Sequence, residues 1–276
     1  MKISIKGVRG SIPTSSPETS FFGGHTSCVT LKEGDWQLIL DGGSGIQKVS
    51  APEGIDRLDI LLTHLHMDHI QGLGFFNPLF DPSKDVHIWA PASATQSLRA
   101  RLNRYLSPPL FPVHIRDLPC KLTLHDISNS SFEIGPFAID SKFVIHPGPT
   151  VGFRVSCGGA VMAYIPDHEP ALGPKGLVND PKWISGFDLA ESADLLLHDA
   201  QFTKEEYKGR IGWGHSCMED SIQFAGYSGA KRLLMTHHDP SHSDSNLKEF
   251  LAALKSNHSG KLDFGLAREG MEIELG

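Results

Sequence analysis

The sequence predicts an α/β (α+β) fold: a four-layer αββα sandwich, with residues 1–276 forming a single domain. Three observations lead there. Apolar runs of strand length recur from the first residues to the last. They fall into two blocks, and in each block the helical segments come in the second half. No internal repeat, low-complexity tract or linker divides the chain. A chain of 276 residues, 39% hydrophobic and 21% charged, also has the size and composition to bury a core.

Taken in order, Met1–Lys6 alternates as a first strand. Cys28–Lys32 and Gln37–Leu40 read as a hairpin across Glu33-Gly34-Asp35. Asp59–Thr63 is a short apolar run of the kind buried on both faces, followed by a loop and a short helix near Ile70–Phe76. Val86–Ala90 is a strand. Ser93–Tyr105 has helical periodicity, with Leu98, Leu102 and Tyr105 on one face. The proline-rich Ser107–Val113 cannot be helical. The second block has strands at Lys121–Leu124, Ser131–Ile134, Ala138–Ile145, Val151–Ser156, Ala160–Ile165 and Leu195–His198. A helix at Glu219–Tyr227, a strand at Leu233–Thr236, a helix at Ser245–Lys255 with Ser245 as N-cap, and a strand at Gly270–Leu275 complete the chain.

Charge and cysteine usage narrow the function. The net charge is −7, from 25 Lys and Arg against 32 Asp and Glu. Proteins that grip a long polyanion usually carry a basic excess, so a long nucleic acid is not the expected partner. No stretch approaches the roughly 18 apolar residues of a membrane span, and the amino terminus lacks the apolar run of a signal peptide. The four cysteines are far apart and form no C-x-x-C pair, as expected of reduced thiols in the cytoplasm.

The 15 histidines carry the chemistry. In Thr63-His64-Leu65-His66-Met67-Asp68-His69, an extended chain projects His64 and His66 to one side, and Asp68 and His69 follow where it turns. Imidazoles with a carboxylate suit Zn²⁺, Mn²⁺ or iron. Four donors in six residues exceed what one tetrahedral ion with an open position takes. Two divalent metal ions sharing distant residues are therefore expected. His146, Asp167 and His237 each lie just past an apolar run, where sheet folds place active sites. The expected partition is His64, His66 and His146 on one ion and Asp68, His69 and His237 on the other, with Asp167 bridging. His168 and His238 directly follow candidate ligands, so an extended chain turns them away. Asp239 and His242 read as a solvated turn, with the site entrance as the alternative. The aromatics and prolines of Phe75–Phe80 and Tyr105–Val113 read as a pocket wall, core packing or a dimer face.

With these residues in place, the chain resembles the metallo-β-lactamase superfamily of metal-dependent hydrolases. The resemblance spans roughly residues 3–275 and is greatest to the branch of ribonuclease Z and the cyclic-phosphate phosphodiesterases. It rests on Gly7-Val8-Arg9-Gly10-Ser11-Ile12-Pro13, Gly23-Gly24-His25-Thr26-Ser27-Cys28-Val29, Leu40-Asp41-Gly42-Gly43, the His64–His69 motif, His146 with Gly152-Phe153-Arg154, and Asp167-His168-Glu169. It implies the αββα fold with metals at the sheet edge: zinc first, with manganese or iron as alternatives. Asp41 would support the ligands by hydrogen bonds, a structural role at a strand-end turn being the alternative. His25 and Thr26 would face the substrate.

His198-Asp199-Ala200-Gln201 and Gly214-His215-Ser216-Cys217 resemble the ribonuclease Z segments in which an acidic residue positions a histidine near the scissile phosphate. Aspartate here replaces glutamate, and cysteine replaces threonine. Carried over, Asp199 orients His215, and the catalytic set is Asp68, His215 and Asp199. Two departures bear on the substrate. The interval 147–166 has room for two strands but not for the long tRNA-binding arm, and the cysteine-rich zinc motif of the phosphoribosyl cyclic phosphodiesterases is missing.

The function expected is thus a dinuclear phosphodiesterase for a small, cyclic-nucleotide or cyclic-phosphate type of phosphodiester. Metal-activated hydroxide would attack phosphorus while His215 protonates the leaving oxygen. The alternatives are a thioester, lactone or lactam hydrolase of the same fold, or a tRNA 3′-processing type of endonuclease without the arm. The expected partners are a small-molecule phosphodiester, no membrane and, because family members often pair, a homodimer.

Overall fold

The structure is a computed structural model that describes residues 1–51, 54–173, 176–258 and 260–276. Its strands are β1 (Lys2–Gly7), β2 (Cys28–Glu33), β3 (Trp36–Leu40), β4 (Arg57–Leu61), β5 (Asp85–Pro91), β6 (Lys121–Ile127), β7 (Ser130–Ile134), β8 (Phe137–Phe143), β9 (Val151–Cys157), β10 (Ala160–Ile165), β11 (Leu195–Asp199), β12 (Arg232–Thr236), β13 (Asp263–Leu266) and β14 (Glu272–Glu274). The helices are α1 (Met67–Ile70), α2 (Leu98–Leu102), α3 (Phe187–Ala190), α4 (Lys204–Tyr207), α5 (Met218–Ser228) and α6 (Asp244–Asn257).

Strand alternation builds the layers. Leu38 and Leu40 of β3, Met162 and Tyr164 of β10, and Leu195 and Leu197 of β11 join one core between the two sheets. The intervening Ile39, Ala163, Ile165 and Leu196 face outward into two further cores. One of these lies under α3, α5 and α6. The other lies under α1, α2 and the loops around them, which contribute Ile70, Leu73, Leu98, Leu102 and Phe111. The result is the four-layer αββα sandwich that the strand blocks predict.

The sheets have the orders β14-β1-β2-β3-β4-β5-β6 and β13-β12-β11-β10-β9-β8-β7. In each, an antiparallel half turns into a parallel half, at β3/β4 and at β10/β11. Parallel strands end at one edge, and open α/β sheets bind ligands outside their carboxyl ends. The two edges meet where the Val151 N–H donates to the Thr63 carbonyl at 2.9 Å.

Local chemistry shifts several boundaries. The helix expected over 93–105 shrinks to Leu98–Leu102, because Ser97 is extended and caps it by accepting from the Ala100 N–H. The helix expected near 70–76 starts at Met67, and a 3-10 turn at Leu73–Phe75 follows it. The N-cap of α6 is Ser243 rather than Ser245, in a capping box with Asn246. The short β13 is an additional strand. Gly158-Gly159 closes the β9–β10 hairpin with positive φ at both residues (58° and 86°), the geometry of a two-residue hairpin turn. All four cysteines are buried free thiols. Among the described residues, no helix is long and apolar enough to cross a membrane.

Candidate metal centre

Every candidate ligand projects from the same edge. His64 lies just past β4, Asp167 just past β10, and His237 directly after β12. β8 is antiparallel to β9, which is antiparallel to β10, so β8 runs with β10 and delivers His146 to the same side. His66, Asp68 and His69 lie in the β4–α1 turn and in α1. The donor atoms of His64, His66 and His146 lie within 4.8 Å of one another, as do those of Asp68, His69, Asp167 and His237. The structure thus brings His64, His66 and His146 together, and Asp68, His69 and His237 together with Asp167. The Asp167 carboxylate reaches into both: it lies 3.0 Å from His69 Nε2, 3.3 Å from His237 Nε2, and 3.9 Å from both His64 Nε2 and His146 Nε2.

The surrounding hydrogen bonds orient the imidazoles. His146 Nδ1 donates to the Gly214 carbonyl at 2.7 Å, which leaves Nε2 facing His66 Nδ1 at 3.1 Å. His69 Nδ1 donates to Asp41 Oδ2 at 2.8 Å, turning Nε2 toward Asp167 and Asp68. Asp41 also accepts from the Thr63 N–H and hydroxyl and from the Tyr164 hydroxyl. Its own φ of 60° is unusual for a side-chain-bearing residue, and His237 has 62°. Such strain is characteristic of functional edges held by their surroundings. Asp68 accepts from the Ser11 N–H at 2.7 Å.

The electrostatics fit a cation. Burial lowers His64 and His66 and brings His146 down to about 4, so all three offer neutral lone pairs. In the second group burial works against the charged forms, but the groups hold one another ionised. The His69 charge and the hydrogen bonds from His237 and His69 overcome the burial penalty on Asp68 and hold its carboxyl below the usual carboxylate range. Burial likewise opposes a charge on His237, yet Asp167 and Asp68 raise it to about 9. Two buried carboxylates therefore hold protons on two imidazoles, in the place where a divalent ion supplies the charge instead. His64 Nε2 is buried without a hydrogen-bond partner and lies 3.9 Å from the Asp167 carboxylate. The donor set thus fits a divalent metal.

Beside the centre, His215 Nδ1 donates to Asp199 Oδ2 at 2.8 Å, and its ring stacks on His237 at 4.9 Å. Asp199 is held in turn by the N–H groups of His168 and Gln201. The ring nitrogen left free is His215 Nε2. A cavity of about 280 Å³ opens against His64 and His66, with Arg101, Arg104, Tyr105 and Leu110 in its wall. The 105–113 loop therefore serves as wall and core at once, since Phe111 is buried against Tyr105 and Phe75.

Other expectations change. His242 is buried rather than solvated, and its Nε2 pairs with Glu206 Oε1 at 2.9 Å. Thr26 is fully buried, bonded to the Ser44 N–H, and His25 meets the Ser44 hydroxyl. His168 and His198 form a buried pair behind the site. Sequence reasoning missed Tyr164, the Ser11 N–H and the Gly214 carbonyl. Backbone groups carry no sequence signal, and an inward tyrosine reads as core.

Two effects are measurable here. Asp41→Asn replaces an all-acceptor carboxylate facing four donors, so metal affinity is expected to fall about 10–100-fold in chelator competition. Burial lowers His198 to about 4. Its neutral form is favoured in the fold, so its stabilising contribution is complete above about pH 6.5. That contribution is lost as pH falls toward 4. Melting temperatures of the metal-free protein are expected to drop over that window, and less steeply in His198→Asn. An equal slope in both proteins would refute this.

The fold and the centre define a metal-dependent hydrolase. The chain belongs to the β-lactamase superfamily: the family model described as "Beta-lactamase superfamily domain" matches residues 42–238. Among curated relatives, ribonuclease Z of Gemmatimonas aurantiaca is 24% identical over 288 residues, covering 90% of each chain. Among solved structures, the metallo-β-lactamase fold protein YhfI of Bacillus subtilis superposes with a TM-score of 0.71 at 21% identity, covering 100% of this chain and 98% of that one. The short form of human tRNase Z superposes with a TM-score of 0.70 at 21% identity, covering both chains completely.

Proposed function

We propose that this hydrolase is a dinuclear phosphodiesterase acting on a small phosphodiester. His64, His66 and His146 would hold one ion, and Asp68, His69 and His237 the other, with Asp167 between them. Zinc is the first choice and manganese or iron the alternatives. When bound, two such ions neutralise phosphoryl oxygens and supply hydroxide near neutral pH.

The single observation that carries the reading is the His215–Asp199 pair, at 2.8 Å beside the centre. Asp199 fixes Nδ1 as the donor it holds, so protonated His215 presents Nε2–H to a departing alkoxide or phenoxide. A thioester, whose thiolate departs unprotonated, has less need of such a fixed acid. General-acid help of this kind is worth about 10²–10⁴-fold.

Two features favour a small substrate. The cavity beside His64 and His66 is about 280 Å³ and has the exposed Arg104 in its wall, while Arg101 is already bonded to the Pro91 carbonyl and Asp126. The interval between His146 and Asp167 is taken up by the tight β9–β10 hairpin. The relatives named ribonuclease Z favour a second reading, cleavage of precursor tRNA.

The test is hydrolysis of bis(p-nitrophenyl) phosphate and of 2′,3′- and 3′,5′-cyclic nucleotides by protein loaded separately with Zn²⁺ and Mn²⁺. Precursor tRNA, a thioester and a lactone are assayed in parallel. Turnover of the small diesters supports the proposal. Selective cleavage of precursor tRNA would replace it with the second reading. Two bound metals with no diester turnover would overturn both.

A further inference from the structure

The carboxylate of Glu169, outside both metal-binding groups, ties the centre to its acid. It is 1% exposed and accepts three hydrogen bonds. Oε1 takes the Gly212 N–H at 2.7 Å and the Tyr207 hydroxyl at 2.8 Å, and Oε2 takes the Gly214 N–H at 2.7 Å. Its backbone N–H is bonded to the Ile145 carbonyl at 2.9 Å, so the carboxylate is anchored to the segment that bears His146.

The loop it grips makes two functional contacts. The Gly214 carbonyl receives His146 Nδ1–H at 2.7 Å, which sets the tautomer and leaves Nε2 as the metal-facing atom. The next residue is His215. Close packing leaves the loop little freedom: at Gly214, with φ of 90°, a Cβ would lie 2.2 Å from Pro147 Cδ and 2.4 Å from His146 Nδ1. The same loop exposes Trp213 and Ile211 to solvent, so apolar burial does little to hold its tip. Charge-assisted hydrogen bonds to Glu169 do so instead.

We propose that Glu169 is a positioning residue that sets His146 and His215 together, through the backbone of Gly212–Gly214. The proposal rests on the phosphodiesterase reading for the role of His215, but not for that of His146. Glu169→Gln tests it with little change of shape, because the amide puts an N–H₂ group against a backbone N–H donor and so loses one of the glycine bonds. Two measurements read the result. Co²⁺ and Zn²⁺ affinity, by chelator competition, is expected to weaken about tenfold, within the range seen when the hydrogen-bond partner of a ligand is altered. For methyl aryl phosphodiesters, the fall in kcat is expected to be about tenfold larger with a phenyl than with a p-nitrophenyl leaving group, because only the poorer leaving group needs the acid.

A merely structural role would lower the two substrates equally and leave metal affinity unchanged, and that result would overturn the proposal. If Glu169→Gln does not fold, Tyr207→Phe removes one of the three donors and must shift both measurements in the same direction, by a smaller factor. No shift in either would overturn it. If the wild-type protein turns over neither diester, the phosphodiesterase reading fails on its own, and the metal-affinity measurement still decides the role of Glu169 at His146.

Discussion

Asp167→Asn is expected to lose the second metal equivalent and to lower phosphodiester turnover by about 10³-fold or more. Asp167 approaches both groups of donors: His69 at 3.0 Å and His237 at 3.3 Å on one side, His64 and His146 at 3.9 Å on the other. An amide keeps the size and one carbonyl oxygen but removes the charge that both groups share. Metal-based charge stabilisation contributes several kcal/mol to hydrolysis, and each 1.36 kcal/mol is a factor of ten in rate. Metal content by mass spectrometry and kcat on bis(p-nitrophenyl) phosphate are the measurements. Two tightly bound ions together with turnover within tenfold of wild type would remove Asp167 from the bridging position. The substitution lies at a strand end rather than within a ladder, so the circular dichroism spectrum is expected to be unchanged.

His215→Ala is expected to have the next largest effect, with a different signature. Metal content is expected to stay at the wild-type level, because His64, His66 and His146 on one side and Asp68, His69 and His237 on the other remain grouped without it. kcat for a phenyl phosphodiester is expected to fall by about 10²–10⁴-fold, the usual worth of a placed general acid. The p-nitrophenyl ester, whose leaving group departs unprotonated, is expected to lose far less. Asp199→Asn is expected to move both values in the same direction, since it removes the charge that holds His215 Nδ1 at 2.8 Å. An equal loss on the two esters would show that His215 binds the phosphate rather than protonating the leaving group. Loss of metal in His215→Ala would show that it is a ligand.

Much of the centre was legible along the chain because its main motif is local. His64, His66, Asp68 and His69 follow a buried strand, and strand alternation with a following turn is enough to place them on one edge. His146, Asp167 and His237 were found by a weaker rule, a polar residue just past an apolar run. The rule works here because carboxyl-terminal strand ends from both sheets reach the same place. The same rule gave no warning about His242, where a Pro-Ser turn looked solvated but is covered by Glu206. It also missed Tyr164, whose inward position on β10 resembles that of Met162, although its hydroxyl supports Asp41 at 3.0 Å. The helix expected over 93–105 shortened because apolar spacing continues through Ser97, whereas the backbone at that residue is extended and caps a single turn.

The sequence by itself determined the layered fold and the types of donor available, while the pairing of His215 with Asp199 was what the family resemblance implied. The fold and the donor types follow from periodicities of two and 3.6 residues and from motif chemistry, which act over short stretches of chain. Only the tertiary structure decided which donors meet. Asp41 fixes the His69 tautomer, Asp167 faces both groups, and Glu169 binds the loop between His146 and His215. Contacts of this kind join residues from different strand ends and depend on the directions in which the two sheets run and on backbone groups that every residue carries. Hydrogen bonding and charge in a buried site are decided by distances of about 3 Å, and those distances are set when the sheets pack.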